Sequence, residues 1–69
     1  MPHIAITMFP GRSREVKAEL AVKVQDFVAA ELQLEKEFVS VSVEDIPKEQ
    51  WEESIKKYPE DVMYVKPGV

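Results

Sequence analysis

The chain has 69 residues, a formal net charge of −4 and no cysteine. This length limits it to one domain over residues 1–69, and the missing cysteine excludes disulfides and cysteine-based metal sites. The acidic balance argues against a broad nucleic-acid surface, and no apolar run approaches the roughly 20 residues that span a membrane. The N-terminus also lacks the features of a signal peptide, so we expect a cytoplasmic protein.

The first predicted element is a strand over residues 2–8, where the side chains alternate in character with a period of two. The alternating sets are Ile4, Ile6 and Met8 on one face and His3, Ala5 and Thr7 on the other. Cells generally remove Met1 when the next residue is as small as proline, which would make Pro2 an N-terminal secondary amine. An amine anchored in a strand can be aimed, and a neutral amine can act as a general base.

A long helix is predicted next, from Arg14 to about Leu32, after a loop punctuated by Pro10 and Gly11. Ser13 is its expected N-cap. The apolar residues recur at helical spacing and predict one buried stripe of Val16, Leu20, Val24, Phe27, Val28 and Leu32. The charged residues between them predict a solvated side of Lys17, Lys23, Asp26 and Glu31.

The rest of the chain predicts a second strand and a short helix. Residues 38–43 alternate again and predict one face of Val39, Val41 and Val43 and another of Ser40 and Ser42. Strand, helix and strand together predict a βαβ unit with parallel strands and a right-handed crossover. Residues 47–57 predict a short helix that begins at a proline, and residues 62–65 predict a short strand or an extended arm.

These elements do not make a complete protein core. A two-stranded sheet is rarely stable alone, and a chain this short buries little of its own surface. Oligomerisation is therefore the expected source of the missing stability. Two copies joined edge to edge would form a four-stranded sheet with two helices on one face.

The carboxylates are distributed unevenly along the chain. All 13 of them lie from Glu15 onward, whereas residues 1–14 carry Arg12 and Arg14. This pattern either arose by chance in a short segment or marks a site for a small anion beside the terminal amine.

Together these features resemble the tautomerase superfamily, and within it the 4-oxalocrotonate tautomerase family. The resemblance rests on Met1-Pro2 opening a strand, Gly11-Arg12-Ser13 at the entry to a long helix, a second strand soon after that helix, and Trp51 beyond it. The closest likeness is to the PptA-type tautomerases. It is carried by Pro2-His3-Ile4, Phe9-Pro10, Val39-Ser40-Val41-Ser42-Val43, Ile46-Pro47 and Lys66-Pro67-Gly68.

The resemblance implies a fold and an assembly. The fold is an α/β (α+β) one, a β-α-β unit with a short C-terminal helix and a two-stranded parallel sheet that oligomerisation completes. The PptA-type branch is typically dimeric and another branch is hexameric, so a homodimer is favoured. No metal or cofactor, nucleic acid or membrane partner is implied.

The resemblance also implies a cofactor-independent keto-enol tautomerase acting on a small anionic enol or keto acid. Pro2 would be the catalytic base, Arg12 would bind a substrate carboxylate, and Trp51 would form an aromatic wall. Arg12 is otherwise a solvated arginine, and Trp51 otherwise packs the short helix onto the sheet. His3 is expected to be a structural or surface histidine.

One position departs from the family pattern. The hexameric branch carries a second arginine on the second strand, where this chain has Ser40. A hydroxyl donates one hydrogen bond and carries no charge, so a monocarboxylic aryl-enolpyruvate is the expected substrate type. The alternatives are a non-catalytic oligomeric binding module for small aromatic acids, or decarboxylation or dehalogenation by the same proline, for which no convincing water-activating groups are present.

Overall fold

A computed structural model describes residues 1–68 and contains two strands, two α-helices and three single 3₁₀ turns. In chain order these are β1 (His3–Met8), α1 (Arg14–Leu32), a 3₁₀ turn (Lys36–Phe38), β2 (Ser40–Asp45), a 3₁₀ turn (Lys48–Gln50), α2 (Trp51–Ile55) and a 3₁₀ turn (Glu60–Val62). The two strands pair in parallel, with His3 opposite Ser40 and Met8 opposite Asp45. The predicted β-α-β arrangement with a short C-terminal helix is confirmed.

Helix α1 has the bounds that its sequence predicts. Its N-cap is Ser13, whose hydroxyl oxygen accepts the Val16 backbone N–H at 3.1 Å and so satisfies a donor that the first turn leaves free. Its C-cap is Gln33, whose left-handed backbone (φ 58°) turns the chain away from the helix axis. Within residues 1–68, no helix combines the length and apolar character needed to cross a membrane.

Polar contacts fasten α1 to β2 and to the turn that precedes it. The side-chain amide of Gln25 donates hydrogen bonds to the carbonyls of Lys36 at 2.9 Å and Val39 at 3.0 Å. Near the other end of the helix, the Lys17 ammonium lies 3.0 Å from the Asp45 carboxylate. The prediction that Lys17 is solvated is therefore wrong, because this half-buried side chain pairs with the last residue of β2.

The later elements differ from their predicted bounds. Strand β2 begins at Ser40, since Phe38 belongs to a 3₁₀ turn in which the Val39 N–H donates to the Lys36 carbonyl. The short helix divides into a 3₁₀ turn and α2, because Pro47 caps only the tighter turn. The predicted strand or arm at residues 62–65 begins with the end of another 3₁₀ turn, and residues 63–68 contain no strand.

The core of the single chain is small. Its buried hydrophobic residues in the described part are Ala29, Val39 and Ile46. In the predicted helical stripe, Leu20, Val24 and Val28 are half-buried. Its other members, Val16, Phe27 and Leu32, are 52%, 67% and 55% exposed. Two strands are too narrow to cover that whole stripe, so apolar surface remains for a second copy to bury.

Candidate functional site

Pro2 and Ser40 lie together at one end of the sheet. Pro2 is half-buried just before β1, and its carbonyl accepts the Ser40 backbone N–H at 3.2 Å. The pairing follows from the parallel register, which places the beginnings of both strands side by side. We call this region the amine half, defined by Pro2, His3, Ser40 and Ser42.

His3 makes the side-chain contacts of the amine half. Its Nδ1 lies 2.7 Å from the Ser40 hydroxyl oxygen, and its Nε2 lies 3.0 Å from that of Ser42. All three residues are exposed on one face of the sheet. The sequence offered His3 no partner, although the alternation in both strands is the signal that could have placed it beside the two serines.

Arg12 and Trp51 lie together at the opposite end of β1. With Thr7, Met8 and Phe9 they line a shallow cavity of about 320 Å³. Gly11 has a backbone φ of 131°, a conformation that favours glycine, and this turn sets the position of Arg12. We call this region the arginine half, defined by Phe9, Arg12 and Trp51.

The aromatic wall of the arginine half contains two rings. The Phe9 and Trp51 ring centroids are 5.1 Å apart with an interplanar angle of 83°, an edge-to-face contact that stabilises aromatic pairs. Phe9 was not among the predicted site residues. Its position directly after β1 and next to the turn that carries Arg12 is the signal that could have identified it.

The two halves are too far apart to form one site within a single chain. Strand β1 spans six residues between them. At a rise of about 3.3 Å per residue this separation is on the order of 20 Å, more than the length of a small carboxylated enol. The structure therefore brings Pro2 together with Ser40 and Arg12 together with Trp51, but it does not bring these two pairs together.

The arginine half has the chemistry to hold an aromatic acid. A guanidinium binds a carboxylate through two parallel hydrogen bonds, and aromatic faces and edges pack against a planar ring. The amine half has complementary chemistry, since hydroxyl groups donate hydrogen bonds to an oxygen that carries negative charge.

Comparison with known proteins identifies relatives of this chain. A family model described as "Tautomerase enzyme" matches residues 2–52. A probable tautomerase of Xylella fastidiosa (strain 9a5c) is 38% identical over 55 residues, which are 80% of this chain and 67% of that protein. Probable tautomerases of two Streptococcus thermophilus strains (CNRZ 1066 and ATCC BAA-250 / LMG 18311) are each 40% identical over 47 residues, which are 68% of this chain and 77% of each relative.

The matched region contains both halves of the candidate site, because it extends from Pro2 to just beyond Trp51. The relatives are also named as enzymes, which favours an isomerase over a non-catalytic binding module. With the β-α-β arrangement described above, these matches establish that the chain belongs to the tautomerase family and is an isomerase of that type.

Proposed function

We propose that this enzyme interconverts the enol and keto forms of a small aromatic 2-oxo acid, such as an aryl-enolpyruvate, with Pro2 as the base. The observation that carries the proposal is the chemistry of the two halves. One end of the sheet holds Pro2 beside Ser40, and the other holds Arg12 beside the Phe9 and Trp51 rings. The amine half supplies a base and a hydroxyl donor, and the arginine half supplies a cation and an aromatic surface.

We propose that two copies of the chain build each site. If a two-fold axis perpendicular to the sheet relates them, both helices stay on one face and the paired edge strands run antiparallel. Pairing through the free edge of β1 would then place Pro2 of one copy about one strand spacing, ~4.8 Å, from the end of β1 that carries the partner's arginine half. The exposed apolar side chains of α1 support such an assembly, with a homodimer as the smallest form.

In the proposed reaction the neutral Pro2 amine removes the proton from the enol hydroxyl. The electron pair of that O–H bond forms the carbonyl, and the electrons of the carbon–carbon double bond take a proton back at carbon from the Pro2 ammonium. The base therefore returns to its starting state without a net change in charge. Ser40 donates a hydrogen bond to the oxygen as negative charge develops on it.

The charges of the proposed site favour a substrate with one carboxylate. Arg12 is the cation that lines the cavity of the arginine half, and the β2 residue whose backbone bonds to the Pro2 carbonyl, Ser40, carries a neutral hydroxyl. With a neutral imidazole at His3, binding a second carboxylate there would remove it from water without a cationic partner, which is unfavourable. The two aromatic rings instead provide an apolar surface for an aryl group.

We therefore expect kcat/KM to be at least about tenfold higher for phenylenolpyruvate than for the dicarboxylate 2-hydroxymuconate, since an unpaired charge costs more than 1.4 kcal/mol to desolvate. Ultraviolet absorbance follows the loss of each enol directly. The rates need correction for the spontaneous reaction in matched buffer. A strong preference for the dicarboxylate would overturn this choice of substrate class.

Replacing Arg12 with alanine should raise KM for phenylenolpyruvate about 10- to 100-fold and change kcat much less, because a charge-assisted carboxylate contact contributes about 1.5–3 kcal/mol. Steady-state kinetics separate the two constants. The matched control is Arg14→Ala, since that side chain lies two residues away and lines a different groove beside α1 and β2. Equal kinetics for the two variants would mean that Arg12 is an ordinary surface residue that does not bind the substrate.

A further inference from the structure

We propose that His3 is a positioning residue that controls how many hydroxyl protons Ser40 and Ser42 present to the substrate. The inference rests on the proposed function, in which Ser40 contacts the reacting oxygen. It goes beyond that function by assigning a role to a histidine and a second serine outside the expected set of base, arginine and aromatic wall. The geometry that carries it is one imidazole bonded to two hydroxyl groups, at 2.7 Å and 3.0 Å.

The protonation state of His3 sets how many hydroxyl protons the two serines can donate to a ligand. A neutral imidazole has one N–H donor and one nitrogen acceptor. In either tautomer, one serine hydroxyl accepts from the ring and keeps its own proton free, while the other donates its proton to the ring. The pair therefore offers one free hydroxyl proton to a ligand when His3 is neutral.

Protonation of His3 changes this count. Both ring nitrogens of an imidazolium are donors, so both serine hydroxyls accept from the ring and both of their protons become free. The cluster then presents two hydroxyl donors with a positive charge directly behind them. The protonated His3 on β1 thus places a positive charge beside the β2 position where this chain has Ser40 in place of an arginine.

The surroundings leave His3 free to respond to a ligand. His3, Ser40 and Ser42 are all exposed, and α1 packs on the opposite face of the sheet. On the same face, the further ionisable side chain of β2 is Glu44, which pairs with Thr7 at the far end of β1. Glu52 on α2 and Lys56 just after it line a separate cavity with Pro67. The terminal amine precedes β1.

Binding of an anion should therefore favour the protonated histidine. Histidine is the side chain that ordinarily changes charge between pH 5 and 8, so a ligand that prefers the imidazolium binds more tightly as the pH falls through this range. By linkage, the same ligand draws a proton onto His3 when it binds. Neither effect requires turnover, so both can be measured with an unreactive ligand.

The test uses phenylglyoxylate, an aromatic 2-oxo acid that cannot form an enol. Isothermal titration calorimetry in buffers of different ionisation enthalpy measures both affinity and proton uptake. The wild-type enzyme is expected to bind about tenfold more tightly at pH 5.5 than at pH 8, the size of one charge-assisted hydrogen bond, and to take up protons on binding. His3→Gln should lose the part of both effects that comes from the imidazolium, retain any part that comes from the Pro2 amine, and keep the affinity seen at pH 8.

Two further variants separate positioning from simple structural support. Ser42→Ala retains the histidine and one serine, so it should keep part of the proton uptake and reduce the gain in affinity. Glu44→Gln removes the further ionisable side chain of β2 on this face and should behave like the wild type. Equal pH dependence in the wild type and His3→Gln would overturn the role of His3.

That outcome is distinguishable from failure of the proposed function. The function depends on Pro2 and is tested by turnover, whereas the role of His3 is tested by binding and proton uptake. If His3→Gln abolishes the proton uptake but Pro2→Ala leaves turnover unchanged, the role of Pro2 is wrong and the ligand-binding role of His3 stands. If the reverse holds, only the inference about His3 fails.

Discussion

Replacing Pro2 with alanine is expected to lower kcat/KM for phenylenolpyruvate by about two to four orders of magnitude, the usual contribution of a positioned general base. Alanine is also small enough to allow removal of Met1, so the variant keeps a free terminal amine. It lacks the ring that restrains this amine at the beginning of β1. The enol-to-ketone rate at saturating and subsaturating substrate measures the loss.

Controls are needed to assign this loss to the base. Intact mass must show that Met1 is absent in both proteins, because a retained methionine would make the Pro2 nitrogen an amide. Pro59→Ala removes a proline that caps a 3₁₀ turn outside both halves of the site, and it should retain full activity. Size-exclusion chromatography should show the same assembly for all three proteins. Full activity in Pro2→Ala would remove Pro2 from the mechanism.

Mixing two impaired variants is expected to restore about a quarter of the wild-type activity, because in randomly assorted copies about one site in four pairs an intact Pro2 with an intact Arg12. The variants are Pro2→Ala and Arg12→Ala, assayed at low substrate concentration, where both are impaired. They are denatured together and refolded so that the subunits can exchange. Complementation is expected because the amine half and the arginine half lie at opposite ends of β1, so that each site needs two copies.

The complementation experiment has a direct control and a clear opposite outcome. Each variant refolded alone should keep its low activity, and mixing the folded proteins without exchange should give only their average. A mixture that stays inactive after proven exchange would mean that Pro2 and Arg12 act within one chain. Such a result would contradict a site shared between two copies but would leave the role of Pro2 intact.

Local sequence patterns predicted the elements of this fold well. The bounds of α1 and its Ser13 cap were predicted correctly, because helical periodicity and capping depend on residues a few positions apart. Strand β1 was predicted within one residue for the same reason. Of the two alternatives for residues 62–65, a strand was wrong, since a few apolar residues do not specify a strand when no neighbouring strand is available.

The candidate site was predicted less completely than the fold. Pro2 and Arg12 stand out in the sequence because of their chemistry and their acid-free surroundings. The contact between Phe9 and Trp51 does not stand out in the sequence, because 41 residues separate the two rings along the chain. The hydrogen bonds from His3 to Ser40 and Ser42 depend in the same way on pairing between distant strands.

The sequence by itself determined the β-α-β order and the family, and it singled out Pro2 and Arg12 as candidates for base and anion-binding group, because each of these depends on local pattern or residue chemistry. Only the tertiary structure decided which of those residues meet. Parallel pairing of β1 with β2 set Pro2 beside Ser40, and the length of β1 set Arg12 and Trp51 at the far end. Strand register is a non-local property, fixed by burying one face of both strands beneath α1, and no single segment encodes it.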